Sequence, residues 1–245
     1  MTEQSNENTR TALVTGANKG IGYEIAAGLG RLGFRVGVGA RDQGRRDEAV
    51  ARLRAEGLDV FGVALDVTDD DSVAAAAAQL QAEGRLDVLV NNAAITGGMP
   101  QEPTRATGAQ VLEVVDTNVA GVVRVTNALL PLLRKSPSPR IVNVSSTVGS
   151  LTLQTAQAEA VGPISAVYSP TKSYLNAITI QYAKELADTN VLVNAGCPGY
   201  VATDLNGHQG FRTPEQGAAI FLELATLPDD GPSGTFRDET GLLPW

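Results

Sequence analysis

Residues 11–33 read TALVTGANKGIGYEIAAGLGRLG. TALVTGA (11–17) is apolar and β-branched without polar alternation, the pattern of a strand covered on both faces. IGYEIAAGLGRLG (21–33) reads as a helix that ends at Gly33. Between them lie Gly16, Ala17, Asn18, Lys19, Gly20, Ile21 and Gly22. A strand-to-helix turn offers free backbone N–H groups and the positive helix end, and glycine lets the chain approach an anion closely. The place suits a pyrophosphate. The spacing is G-x-x-x-G-x-G, however, and not the G-x-G-x-x-G of the general dinucleotide fingerprint. Taken alone, the loop also admits a turn that merely needs glycines.

The pattern repeats outward from this unit. RVGVGAR (35–41) and DVFGVALDV (59–67) read as strands, with a helix at GRRDEAVARLRAEG (44–57) between them. A helix from about Asp71 to Glu83 follows the capping acids Asp69–Asp71. DVLVNNA (87–93) is a fourth strand, a helix spans about 108–133, and RIVNVSS (140–146) is a fifth strand. TKSYLNAITIQYAKELAD (171–188) is a long helix and VLVNAGCP (191–198) a sixth strand. Thr213 and Pro214 open a helix through about Leu224, with threonine as N-cap and proline in the first turn. A short seventh strand is expected near 234–238. Apolar strands alternating with helices predict an α/β fold, a doubly wound parallel sheet of about seven strands with helices on both faces. There is no internal repeat and no linker. One domain is expected over residues 11–245, after a flexible N-terminus at 1–10. The stretches 147–167 and 203–212 show no clear element and are expected as ligand-covering loops.

The chain has 245 residues, a net charge of −8 and no basic block, which argues against a nucleic-acid or anionic-membrane partner. With one cysteine, Cys197, and one histidine, His208, neither an internal disulfide nor a His/Cys metal site is expected. The N-terminus lacks an apolar signal region, and no window is apolar enough to span a bilayer. A cytoplasmic enzyme or binding protein is expected.

Tyr168 and Lys172, in YSPTK (168–172), stand at positions i and i+4 and would share one helix face. An ammonium near a phenol favours the phenolate and lowers its pKa. Such a pair reads either as a surface accident or as a proton donor tuned for neutral pH. Either residue alone reads as packing or as a solvated helix face.

TGxxxGIG, Asn91-Asn92-Ala93-Ala94, Asn118, Ser146, Tyr168-x-x-x-Lys172 and Pro198-Gly199 occur in that order. The chain thereby resembles the short-chain dehydrogenase/reductase family over about residues 11–245. TGANKGIG, ARD (40–42), CPGYVATD (197–204) and the closing Trp245 are most similar to its carbonyl reductase branch. Two departures stand out: NNAA replaces the commoner NNAG, and 22 positions separate Ser146 from Tyr168. The resemblance implies a Rossmann-type fold and an NADPH-dependent reductase acting on a ketone or aldehyde. Tyr168 would be the general acid. Lys172 would lower its pKa and hold the nicotinamide ribose, Ser146 would polarise the carbonyl, and Asn118 would anchor a relay water. Strand alternation would send the adjacent Ser145 to the opposite face. Gly16, Asn18, Lys19, Gly20, Ile21 and Gly22 would cradle the phosphates. Asp66 and Val67 would meet the adenine. Asn92, Ala93, Pro198, Gly199, Val201 and Thr203 would lie along the cofactor, and Asn91 would tie adjacent strands.

Counting roughly 20 residues past the glycines lands on Asp42, the position that selects NAD in the general fingerprint. Arg41, however, ends the second strand where the adenine ribose lies, and Asp42 can turn away to cap the next helix. Arg41 and Lys19 would then favour a 2′-phosphate. The pocket would be walled by Ile95, Leu151, Leu153 and Tyr200 beside Ser146. Only Arg212 offers a cation for a carboxylate, so a neutral carbonyl substrate fits best. Cys197 reads as a small buried hydrophobe and His208 as a solvated or rim residue. By the same resemblance the stretch 151–166 before Tyr168, intermediate in length, favours a monomer, with a homo-oligomer as the alternative. Two alternatives remain: an alcohol dehydrogenase working oxidatively, and a non-catalytic nucleotide sensor of the same fold. A sensor would be expected to lose the tyrosine or lysine, and both are present.

Overall fold

The computed structural model describes residues 9–156 and 162–245. The expected flexible N-terminus therefore falls, but for residues 9 and 10, outside the described residues, as does part of the 147–167 stretch. Strands β1 (Thr11–Thr15), β2 (Arg35–Ala40), β3 (Val60–Ala64), β4 (Val88–Asn91), β5 (Arg140–Val144), β6 (Leu192–Gly196), β7 (Phe236–Asp238) and β8 (Gly241–Leu242) form one sheet in the order β3-β2-β1-β4-β5-β6-β7-β8. β1 through β7 pair in parallel; β8 returns antiparallel, with Leu242 opposite Arg237. The sheet thus has eight strands where about seven were expected. Two residues are too few to show a period, and Gly241, at φ +129°, makes the reversal possible.

Helices α1 (Gly20–Arg31), α2 (Gln43–Ala55), α3 (Asp70–Gln81), α4 (Gly108–Val115), α5 (Gly121–Leu133), α6 (Leu151–Thr155), α7 (Ser169–Glu185) and α8 (Pro214–Ala225) cover the sheet. β1 shows why two faces are needed. Ala12 and Val14 point into the layer of Ile25, Leu29 and Phe221, whereas Leu13 points into that of Phe61, Leu89 and Leu129. All three β1 side chains are fully buried. Burying a leucine contributes about 1.5–3 kcal/mol, and Leu13→Ala would cost about 2–5 kcal/mol once the cavity is included.

Local chemistry sets the helix ends. Asp42 caps α2 by accepting from the Arg45 N–H at 2.9 Å, the capping role that the sequence suggests. Asp69, Thr107 and Thr213 cap α3, α4 and α8. α1 has no side-chain cap, and Lys19 before it is extended. Its first N–H groups stay available at the β1–β4 crossing, where the strand order reverses and an open α/β sheet binds its ligand. The single helix expected at 108–133 is two α-helices joined by a π-helical segment, Asp116–Ala120. The stretch after β5 also has structure: a 3₁₀ turn at Thr147–Gly149 and then α6.

Candidate active site

Four segments meet above the carboxyl ends of β1, β4, β5 and β6. The first is the glycine loop. Gly16 and Gly20 have φ of +64° and +57°, which disfavour any side chain. A Cβ on Gly16 would lie 2.9 Å from the Ala93 Cα, and one on Gly22 would lie 2.7 Å from the Gly16 carbonyl oxygen. The loop is therefore a close-fitting backbone cradle at an uncapped helix, which fits the phosphates of a dinucleotide.

The second segment leaves β4. The Asn91 amide donates to Thr126 Oγ1 at 3.1 Å and to Asn143 Oδ1 at 2.9 Å, tying β4 to its neighbours. Asn92 Nδ2 donates to the Thr15 carbonyl at 2.8 Å, and the Asn92 and Ala93 N–H groups both reach Thr15 Oγ1. These bonds lock the end of β4 to the glycine loop. Asn118, fully buried in the π-helical segment, accepts from the Ile95 N–H and donates to the Ile95 carbonyl, both at 2.9 Å. Its second N–H goes to Thr171 Oγ1 at 3.1 Å. Both amide hydrogens of Asn118 are thus committed to protein groups that fix the loop after β4.

The third segment leaves β5. Ser145 points inward, is buried, and donates to Asn176 Oδ1 at 2.5 Å. Ser146, half-buried, caps the following turn and accepts from the Val148 N–H at 3.4 Å. Strand alternation separates the two hydroxyls, as the sequence suggests.

The fourth segment is the start of α7. Tyr168 stands just before Ser169 in helical geometry, and Pro170 fits the first turn without losing a hydrogen bond. Lys172 follows one turn later, buried, with Nζ donating to the Val144 carbonyl at 2.7 Å. A Cβ on Gly149 would lie 2.7 Å from the Lys172 carbonyl carbon, so only glycine lets the turn after Ser146 pack this close to α7. Lys172 Nζ lies 5.5 Å from the centre of the Tyr168 ring.

The electrostatics correct one expectation. Burial pulls Lys172 down to about 8, and the neighbouring Cys197 partly offsets this. Burial pushes the Tyr168 phenol up, and Cys197 adds to the rise. The lysine does not lower the tyrosine here, because its ammonium is held by the Val144 carbonyl and not by the phenol. Sharing a helix face is not sharing a hydrogen bond.

The cations expected at the adenine ribose behave differently from each other. Lys19 forms an ion pair with Asp204, 2.5 Å from Nζ to Oδ2. Arg41 is exposed and has no ion-pair partner among the described residues. Asp66 accepts from the Thr68 N–H at 3.0 Å and hydroxyl at 2.7 Å. Burial would raise its carboxyl, but these bonds and the nearby Arg41 hold it below the usual range. Val67 packs against Gly121, where a Cβ would lie 2.8 Å from its Cγ2. Pro198, Gly199, Val201 and Thr203 follow β6. Gly199 has φ +75°, and Thr203 lies over Gly20 of the glycine loop.

Ile95, Leu153, Leu151 and Tyr200 carry the apolar character expected of a substrate wall, and the last two are well exposed. Tyr200 meets Phe211 edge to face at 6.0 Å. Arg212 is committed to a two-pronged pair with Glu239 and to the Gln216 carbonyl, so it is not free to hold a substrate carboxylate. His208 is exposed and bonds Asp204 through Nε2 at 2.9 Å. Among the described residues no group of three or more metal-binding side chains comes together, and no helix is long and apolar enough to cross a membrane. Sequence reasoning missed Asp204, and it missed Gln101, whose partners lie far along the chain.

A doubly wound sheet with a bare glycine cradle at its switch point and a tyrosine–lysine pair at the same carboxyl edge defines a dinucleotide-dependent enzyme. The family model for short chain dehydrogenases matches residues 10–211, and the chain belongs to that family. It is 35% identical to Short-chain dehydrogenase/reductase 1 of Saponaria officinalis, with 96% of each chain covered. It is 36% identical to Carbonyl reductase (NADPH) 1 of Sus scrofa, covering 97% of this chain and 95% of that one. The solved structure of salutaridine reductase from Papaver somniferum superposes with a TM-score of 0.82 at 32% identity, over 93% of this chain and 99% of that one. An actinorhodin polyketide ketoreductase solved with NADPH gives 0.83 at 30% identity, over 95% and 96%.

Proposed function

We propose that the chain is an NADPH-dependent reductase of neutral ketones or aldehydes. The observation that carries this reading is the meeting of Ser146, Tyr168 and Lys172 at the carboxyl end of β5, where Lys172 bonds the Val144 carbonyl and stands 5.5 Å from the Tyr168 ring. When bound, NADPH supplies the hydride for the carbonyl carbon. Ser146 donates a hydrogen bond to the carbonyl oxygen and stabilises the charge that grows there. Tyr168 gives its proton to that oxygen. A phenol pushed up by burial stays protonated at neutral pH, which suits an acid in reduction better than a base in oxidation. Lys172 is a cation below about pH 8 and holds the ribose side of the site.

Relatives named Carbonyl reductase (NADPH) 1, (-)-isopiperitenone reductase and salutaridine reductase support a carbonyl substrate and NADPH. The committed Arg212 supports a neutral one. For the cofactor, Arg41 at the end of β2 is open to a 2′-phosphate, and Asp42 is turned to its cap. Gly16, Asn18, Gly20, Ile21 and Gly22 hold the phosphates, Asp66 and Val67 border the adenine, and Asn92, Ala93, Pro198, Gly199, Val201 and Thr203 line the rest. The same reading takes the protein as a cytoplasmic monomer without nucleic-acid or membrane partners, and a stable tetramer in light scattering would contradict it. The direct test is a panel of ketones and aldehydes with NADPH, followed by nicotinamide absorbance. Turnover of apolar ketones supports the reading; oxidation of alcohols with NAD and no reduction with NADPH overturns it.

A further inference from the structure

Gln101 is a buried amide in the loop after β4, with no role in binding or chemistry assigned above. Its side chain makes four hydrogen bonds. Nε2 donates to the carbonyls of Thr96 at 2.9 Å and Gly98 at 2.5 Å, within its own loop. Oε1 accepts from the Ser165 hydroxyl at 3.3 Å and from the Val167 N–H at 3.2 Å. Its backbone carbonyl accepts from the Ala166 N–H at 2.9 Å. Gln101 thus holds all three residues that precede Tyr168.

The packing agrees. A Cβ on Gly97 would lie 2.9 Å from Val167 Cγ1, so the loop and the Tyr168 segment touch without room to shift. Val167 is fully buried. On the other side of Tyr168, Thr171 donates to the Tyr168 carbonyl at 2.6 Å and receives the Asn118 amide. Two primary amides therefore bracket the tyrosine, one through Val167 and one through Thr171. Both also grip the same loop, Asn118 at Ile95 and Gln101 at Thr96 and Gly98.

We propose that Gln101 is a positioning residue for Tyr168: it fixes the segment Ser165–Val167 against the loop after β4 and so sets where the phenol stands relative to the carbonyl oxygen. The proposal rests on the general-acid reading of Tyr168. A proton donor misplaced by about 1 Å loses on the order of 10²-fold in rate, so small shifts of this segment matter. Gln101 touches neither the glycine loop nor the end of β2, so its loss should weigh on kcat far more than on NADPH affinity.

The test is a double-mutant cycle between Gln101→Leu and Tyr168→Phe, with NADPH binding measured separately. Leucine fills a similar volume and removes all four side-chain bonds. In the wild-type background Gln101→Leu should lower kcat by about 10- to 100-fold and leave the NADPH Kd within about two-fold. In the Tyr168→Phe background the same change should cost less than about two-fold, because no proton donor remains to misplace. Equal losses in both backgrounds, or an unchanged kcat in Gln101→Leu alone, overturn the proposal and leave Tyr168 as the acid. Near wild-type turnover in Tyr168→Phe alone overturns the general-acid reading, and the proposal with it. If the leucine variant does not fold, Gln101→Glu carries the same cycle. It keeps the acceptors for Val167 and Ser165 and loses the donors to Thr96 and Gly98.

Discussion

Lys19 and Asp204 join the glycine loop to the segment after β6 through an ion pair of 2.5 Å. The Lys19 hydrogen bond holds the Asp204 carboxyl below its usual range, and His208 adds to the effect from the other oxygen. Lys19 is one of the two cations proposed to favour a 2′-phosphate, so Asp204 competes with the cofactor for it. Asp204→Asn should release Lys19 and raise kcat/KM for NADPH by about 1.4- to 5-fold, the small gain expected from freeing one partner of an exposed ion pair. The value for NADH should not change. Parallel kinetics with both cofactors check this; an equal gain with NADH would mean that Asp204 acts on loop closure and not on the phosphate.

Arg41 forms no ion pair among the described residues, although it lies close enough to Asp66 to lower that carboxyl. Asp42, the only acid adjacent to it in sequence, is turned to the Arg45 N–H. Arg41→Ala should therefore remove phosphate recognition cleanly. We expect kcat/KM for NADPH to fall by roughly 5- to 150-fold, or about 1–3 kcal/mol, with NADH nearly unaffected. A proportional loss with NADH would show that Arg41 serves the fold.

Tyr168→Phe removes one hydroxyl that has no hydrogen-bond partner among the described residues. The variant should fold and bind NADPH as the wild type does. Turnover of a good ketone should drop by roughly 10²–10⁴-fold, the contribution of a general acid. Calorimetric binding of NADPH beside steady-state rates separates the two effects.

The sheet and the order of the site were legible from sequence because both are written locally. β1, the glycine loop and α1 lie within one stretch, and alternation alone separated Ser145 from Ser146. Asp42 as a helix cap was legible for the same reason. Gln101 was not, since the two partners that tie it to the Tyr168 segment lie 64 and 66 residues away and nothing in its own loop points to them. Nor was the Lys19–Asp204 pair, which spans 185 residues. β8 exists only because Leu242 finds Arg237. The direction of the Tyr168 shift is not legible in the sequence for a different reason. The i,i+4 rule gives direction along a helix, whereas the shift depends on burial and on which oxygen the lysine chooses.

That choice gives Lys172 two opposite pH effects. Its folded pKa is depressed to about 8 by burial, below the value of about 10.4 for an unfolded lysine. Between those values the unfolded chain binds more protons than the folded one, so stability rises with pH across that window. Below pH 8 the buried charge imposes its full penalty, on the order of 3 kcal/mol. Lys172→Met keeps the length and removes the charge. Without cofactor it should be more stable than the wild type at pH 7, and the difference should shrink from about pH 8 and vanish only above about pH 10.4. Reductase activity of the wild type should move the other way, falling as pH rises through about 8, because the cation beside the ribose is lost. Urea unfolding of both proteins across this range, beside kcat/KM for NADPH, tests the pair of effects. A methionine variant no more stable than the wild type at pH 7 would mean that the bond to the Val144 carbonyl fully compensates the buried charge.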